Sequence, residues 1–253
     1  MSTIVPALIA ARLRALTPAR VGLGRTGVSQ QTRDLLAFQT AHAQARDAVC
    51  ARLDSAAMAA AIAAVTGGEV MRLHSAAADR AAYLQRPNLG RRLEPASLLA
   101  LAAFAADHRG PWDVVLVLAD GLSALAVERH AAPLIKALLP QISGWRIAPV
   151  CLVEQGRVGI GDEIGEALVA ECCLVLIGER PGLSSPDSLG AYITWGPRVG
   201  RTDAERNCVS NIRSEGLSYE QAASQVAYYL TEARRRQLTG VALKDAGRRL
   251  EEG

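Results

Sequence analysis

The sequence predicts an α/β fold: a Rossmann-like, doubly wound, mainly parallel sheet flanked by helices, with a smaller helical domain at the N-terminus. Three observations carry this expectation. From Pro95 onward, short runs such as Asp113–Ala119 and Cys172–Ile177 are apolar almost throughout, as strands buried on both faces must be. Helix-patterned segments alternate with these runs, the order that lays strands parallel. Before Pro95 the pattern is helical, which divides the chain into a helical N-terminal domain and linker (1–94) and an α/β domain (95–253).

Val5, Leu8, Ile9, Leu13 and Leu16 recur at helical spacing until Thr17-Pro18 ends the pattern. Gly22, Gly24 and Gly27 follow, with Arg20 and Arg25 among them. Their spacing matches neither a P-loop nor a dinucleotide fingerprint, so a connector between helices is favoured over a phosphate cradle. Gln31–Leu53 reads as a second helix, Ala56–Val65 as a short alanine-rich one, and Val70–Leu73 as a short strand or turn. Tyr83–Leu93 reads as an ordered loop and linker. Pro95–Ala106 is a helix, Asp113–Ala119 a strand, and Ala124–Leu139 the helix after Asp120-Gly121-Leu122-Ser123. Arg146–Val153, Leu174–Ile177 and Ala191–Trp195 complete the strands, with a helix over Asp162–Ala170. A long Arg/Gly loop then leads to a last helix, Ser218–Arg236, with Ser218 at its cap and Gln221 three residues on.

Half of the 253 residues are hydrophobic and only 4% are aromatic, so the core is large and packed with small side chains. A net charge of +3 with scattered basic residues excludes the concentrated basic face of a nucleic-acid binder. No apolar run approaches the roughly 20 residues needed to span a bilayer. Met1–Ala10 lacks a basic leader and a small-residue cleavage site, so a soluble, intracellular protein without membrane insertion is expected. Five cysteines without C-x-x-C spacing read as reduced thiols, not as disulfides or a zinc site.

The stretch from Cys172 to Ile212 holds the strongest site signal. Immediately after the apolar run, at the carboxyl end of the expected strand, comes Gly178-Glu179-Arg180-Pro181-Gly182, where open α/β sheets bind ligands. A charged surface loop is the equal alternative. Gly159-Ile160-Gly161-Asp162-Glu163-Ile164-Gly165 invites a dinucleotide reading but places its third glycine one residue late. Its glycines are better read as letting the backbone pass close to a bulky partner. Four histidines, His42, His74, His108 and His130, lack a second ligand at usable spacing and read as surface or core residues.

Six collinear blocks carry a family resemblance. They are A-R-V-G-L-G-R-T-G at 19–27, Y-L-Q-R-P-N-L-G-R-R-L at 83–93, D-G-L-S at 120–123, G-R-V-G-I-G-D-E-I-G-E at 156–166, G-E-R-P-G-L-S-S-P-D-S-L at 178–189 and R-N-C-V-S-N-I at 206–212. Together they resemble the small subunit of ethanolamine ammonia-lyase. The resemblance implies a subunit that holds adenosylcobalamin (coenzyme B12) against a larger, barrel-shaped catalytic subunit, in a hetero-oligomer that deaminates ethanolamine to acetaldehyde and ammonia. It puts Val158, Glu179 and Cys208 among the cobalamin contacts in the domain 95–253, with no catalytic residue and no metal ligand on this chain. Cys208 is expected in a loop after the last strand. Arg180 and Arg206 are as readily ion-pair partners of Glu179, Asp203 or Glu205 as ligand contacts. The D-x-H-x-x-G motif that supplies a protein histidine to cobalt is absent, so the cofactor is expected to keep its own benzimidazole base. The family setting implies a bacterial microcompartment lumen, or the cytoplasm where no shell is built, and Met1–Leu16 could serve as a targeting or docking helix. Two other readings stand beside this one: a Rossmann-type dinucleotide-binding enzyme, and a non-catalytic assembly protein derived from the family.

Overall fold

The computed structural model describes residues 7–17, 19–108 and 110–243. Helix α1 (Ala7–Leu16) and a minimal hairpin, β1 (Arg25–Thr26) with β2 (Ser29–Gln30), precede helices α2 (Thr32–Cys50) and α3 (Ser55–Thr66). Met1–Pro6, part of the expected first helix, lie outside the described residues. Strand β3 (Val70–His74), helix α4 (Arg80–Gln85) and helix α5 (Pro95–Asp107) lead to β4 (Trp112–Ala119) and α6 (Ala124–Leu138). Then come β5 (Val150–Glu154), α7 (Ile160–Ala167), β6 (Ala170–Gly178), β7 (Leu189–Trp195), β8 (Asn207–Ile212) and α8 (Tyr219–Arg236).

Six strands form one mixed sheet in the order β3-β5-β4-β6-β7-β8. The first four run parallel; β7 pairs antiparallel with β6, and β8 antiparallel with β7. The central strands are apolar throughout because both faces are covered. Val114, Leu116 and Leu118 of β4 point into a core built with α3, α6 and α8, where Ile62, Leu134, Ile135, Val226 and Leu230 pack. Val115, Val117 and Ala119 point the other way, onto Leu101 of α5 and Ile160 and Ile164 of α7. Cys172, Leu174 and Leu176 of β6 join the first core, and Cys173, Val175 and Ile177 the second.

Val70–Leu73, read as a short strand or turn, is the edge strand Val70–His74, paired residue by residue with Val150–Glu154. Other expectations are corrected. Residues 83–93 are only in part a loop: Tyr83–Gln85 end α4, which Asp79 caps, and Leu89–Arg91 form a 3-10 turn. The strand expected from Arg146 begins at Val150, since Ile147 makes only an isolated bridge to Val114. Residues 207–212, expected as loop, are strand β8. Its burial alternates imperfectly because it is the sheet's edge, so the apolar run that marks an inner strand is missing. Local chemistry sets the helix starts: Asp54, Ser123 and Ser218 accept from the backbone N–H three residues on.

The two leading helices sit apart in character. Of α2 only Ala41 and Ala48 are buried, while Leu35, Leu36 and Phe38 are exposed, as are Ile9, Leu13 and Leu16 of α1. Among the described residues no single helix is long and apolar enough to cross a membrane.

Candidate functional site

The carboxyl ends of the parallel strands gather three loops: 120–123 after β4, 155–159 after β5, and 179–188 after β6. Two glycines let the first and third loops meet. A Cβ on Gly121, which has φ of +57°, would lie 2.3 Å from the carbonyl oxygen of Gly178; one on Gly178 would lie 2.0 Å from that of Ser123. Leu122 donates its N–H to Gly178 across the same contact at 2.9 Å. The D-G-L-S and G-E-R-P-G motifs are therefore two halves of one close backbone crossing.

Loop 179–188 is pinned along its length. Glu179 and Ser188 close its base, with the N–H of Glu179 on the carbonyl of Ser188 and the Ser188 hydroxyl donating to Glu179 Oε2. Gly182 and Ser185 exchange backbone hydrogen bonds at the tip, and Ser123 Oγ donates to the carbonyl of Pro186 at 2.9 Å. At its far end Asp187 takes Arg129 at 2.8 Å and lies 3.4 Å from Nε2 of His130, whose Nδ1 meets the Tyr219 hydroxyl at 2.8 Å. His130 is thus a buried anchor of the loop.

Glu179 and Val158 line one cavity of about 440 Å³, together with Tyr83, Leu122, Arg157, Ile177, Gly178, Arg180 and Tyr192. Gly190 leaves room for the Glu179 carboxylate, since a Cβ there would lie 2.9 Å from Oε1. Oε2 also accepts the N–H of Asn211 at 3.3 Å. Cys208 does not line the cavity. It is exposed on β8, paired in the ladder with Tyr192, with which its thiol shares a hydrogen bond. The other strand cysteines are inert by burial, which pushes the Cys151 and Cys172 thiols up to about 12.

The arginines divide sharply. Arg206 turns away from Glu179 and grips Asp162 of α7 through two hydrogen bonds of 2.8 and 2.7 Å, adding Thr194 Oγ1 at 2.8 Å. Asp203 stands 3.6 Å from its Nε, and Glu205 pairs instead with Arg201. Arg180 is exposed at the cavity mouth and makes no ion pair among the described residues. A second cavity of about 590 Å³ lies beyond Gly159, but three of its four cations, Arg92, Arg201 and Arg206, are paired with Glu163, Glu205 and Asp162, and the fourth, Arg91, is exposed.

The crevice between the ends of β4 and β5, whose following helices lie on opposite faces, is where such sheets take nucleotides. Here it is filled. Arg80 donates to the carbonyl of Gly121 at 2.7 Å and lies 3.6 Å from Asp120, which accepts the N–H of Gly156 at 3.1 Å. Tyr83, fully buried, packs under both Arg80 and Arg157. Burial pushes the Asp120 carboxyl up to about 6, against the pull of Arg80 and the N–H groups of Gln155, Gly156 and Gly121. The glycines of 159–165 also find a structural use. A Cβ on Gly161 would strike Val175 at 2.5 Å and Cys173 at 2.7 Å, and one on Gly165 would strike Pro197 at 2.4 Å. They bring α7 onto the sheet, and the expected bulky partner is the sheet itself. Tyr83 and Arg157 fall within the motif blocks, yet no spacing rule marks them as cavity residues. The signal that could have found them is Gly90, whose missing side chain lets Arg157 and Tyr83 close on it.

The cavity therefore offers apolar contact from Leu122, Val158 and Ile177, a fixed carboxylate acceptor and two guanidinium donors. That set can take a ligand with an apolar surface and both donors and acceptors at its edge. Comparison with known proteins gives a consistent picture. A family model described as ethanolamine ammonia-lyase light chain (EutC) matches residues 9–244. An ethanolamine ammonia-lyase small subunit of Pseudomonas aeruginosa strain PAO1 is 59% identical over 235 residues, which is 92% of this chain and 86% of the relative. Those of Ralstonia nicotianae (59% over 236 residues, 92% of this chain and 87% of the relative) and Xanthomonas campestris pv. campestris strain B100 (57% over 237 residues, 93% and 87%) match over the same extent.

Proposed function

Because the chain belongs to the ethanolamine ammonia-lyase light-chain family, we propose that it is the small subunit of an adenosylcobalamin-dependent ethanolamine ammonia-lyase. With a larger catalytic chain, it converts ethanolamine to acetaldehyde and ammonia. The observation that supports the cofactor reading is the cavity at the end of β6, whose lining includes both Val158 and Glu179.

The residues fit the group. A corrin is a broad apolar plate with carboxamide arms. Leu122, Val158 and Ile177 suit the plate, Glu179 accepts from amide N–H groups, and Tyr192 joins Cys208 to the same wall. A cavity of about 440 Å³ takes an edge of such a molecule, which leaves the remainder to the larger chain. When bound, adenosylcobalamin supplies the radical that starts the deamination. This chain's residues orient and enclose. Loop 179–188, pinned by Ser123, Ser188 and Asp187, fixes where Glu179 stands. Among the described residues no histidine lines the cavity, and His130 is engaged with Tyr219 and Asp187, which supports a cofactor that would keep its own benzimidazole base. The groups that touch ethanolamine are assigned to the large subunit.

The helical N-terminal unit, α1 and α2 with their exposed Ile9, Leu13, Leu35 and Phe38, is assigned to docking against that large subunit. The sheet is read as Rossmann-like in architecture, presenting loops rather than a nucleotide site. The assembled enzyme is placed in a microcompartment lumen, or in the cytoplasm where no shell is built.

Co-expression with the large subunit tests the proposal. The co-purified pair should retain cobalamin and release ammonia from ethanolamine only when adenosylcobalamin is supplied. A pair that binds no cobalamin, or equal activity from the 253-residue chain alone, would overturn it.

A further inference from the structure

We infer that Arg157 is a cofactor-recognition residue: its guanidinium, seated over Tyr83 at the wall of the cavity, donates to a carboxamide carbonyl on the corrin rim. The inference rests on the cobalamin reading above and adds to it a donor that the resemblance does not supply.

The side chain is held from three sides. Its Cζ lies 4.1 Å from the centroid of the Tyr83 ring, and Nη2 donates to the Tyr83 carbonyl at 3.2 Å. The backbone N–H of Arg157 is fixed to Gly90 at 2.7 Å, and Gly90 has no side chain to obstruct the Arg157 stem. Tyr83 is itself immobile: fully buried, with its hydroxyl 3.3 Å from the carbonyl of Gly156 and a second guanidinium, that of Arg80, 4.7 Å from its centroid. A planar cation fixed this way loses little freedom when a ligand arrives.

The protein leaves that cation unanswered. Arg157 makes no ion pair among the described residues, and Nη2 to Tyr83 is its only side-chain hydrogen bond there. Its Nε is enclosed without an acceptor. Donors of a half-buried guanidinium are costly to leave unmade, so an acceptor from outside the chain is the natural complement. Nearby Arg92, Arg201 and Arg206 each have a carboxylate; Arg91 has none among the described residues but is exposed, whereas Arg157 is half-buried. The chemistry of the ligand closes the argument. The corrin rim carries several carboxamides, each with an N–H₂ and a C=O, and the cavity offers Glu179 to the N–H₂ of one and Arg157 to the C=O of another. Arg180, the other lining cation, is exposed on the loop, so it is the less preorganised donor.

The test uses the complex of this chain with its large subunit and titrates it with cyanocobalamin by visible absorbance. Arg157→Met should raise the Kd roughly tenfold or more, the loss of a hydrogen bond from a charged donor. Arg157→Lys, which keeps charge but not the planar fork, should fall between. A complex that assembles normally with Arg157→Met and binds within about twofold of wild type overturns the inference and leaves the cofactor reading standing. A wild-type complex that takes up no cyanocobalamin overturns both. If Arg157→Met fails to assemble, wild type alone decides, titrated with cyanocobalamin monocarboxylic acids in which one rim carboxamide is a carboxylate. One isomer should bind at least as tightly as cyanocobalamin itself, because its carboxylate pairs with Arg157; uniform weakening of every isomer overturns the inference.

Discussion

Arg206, just before β8, and Asp162 of α7 form a two-pronged ion pair in which both side chains are almost wholly buried, 3% and 5% exposed. The pair joins the edge of the sheet to the helix that packs on its second face. Sequence alone gave Arg206 several carboxylates to choose from, and the choice matters for what mutations at this position report. Breaking the pair by Asp162→Asn strands a buried guanidinium and should cost about 3–5 kcal/mol in urea unfolding of the isolated chain. Asp162→Leu with Arg206→Met should recover most of that loss, since neither charge is then left alone. Equal destabilisation by the single and the paired replacement would refute this account.

Gly178 tests the backbone crossing under the site. Gly178→Ala puts a methyl 2.0 Å from the Ser123 carbonyl and 2.6 Å from that of Asp120. Neither backbone atom can swing aside as a flexible side chain would. The expected cost is about 1–3 kcal/mol or more, with faster proteolysis inside loop 179–188. An unchanged urea midpoint and an unchanged cleavage rate together would show that the crossing is looser than described.

Glu179 separates two roles. Glu179→Gln keeps an oxygen for Ser188 and Asn211 but loses the charge. In the assembled complex cobalamin affinity should fall about tenfold, the difference between a charged and a neutral acceptor. Glu179→Ala removes the acceptor of both neighbours and should also lower the melting temperature of the cofactor-free complex. Cobalamin affinity equal to wild type in a fully assembled Glu179→Gln complex would leave Glu179 as a loop staple only.

Asp120 makes a pH prediction. Its carboxyl is raised from the ordinary 3.8 to about 6, chiefly by burial. A carboxyl raised in the folded state favours folding while it is protonated, and that advantage is lost as pH climbs through the folded value. Asp120→Asn, which never ionises, should therefore gain stability relative to wild type as pH rises from about 4 to about 7. The gain should be on the order of 3 kcal/mol and level off above that window. Urea unfolding at matched pH values checks it, and a difference between the two proteins that stays flat with pH would be the contrary result.

What the sequence determined by itself was whatever depends on local pattern. Val114–Ala119 and Cys172–Ile177 could only be inner strands, because an unbroken apolar run needs cover on both faces. The loop at Glu179 could be located because it begins where such a run stops. The family, too, was legible, since it is written in blocks of contiguous residues. Tertiary structure decided what depends on residues far apart in the chain. Asn207–Ile212 carries too few apolar residues to announce a strand, and only pairing with β7 makes it one and sets Cys208 beside Tyr192. Gly161 and Gly165 resembled a ligand motif until Cys173, Val175 and Pro197 proved to be what they accommodate. Arg206 found Asp162, and Arg157 found Tyr83 but no carboxylate among the described residues, because a charge selects its partner by distance and burial, neither of which a linear order of residues contains.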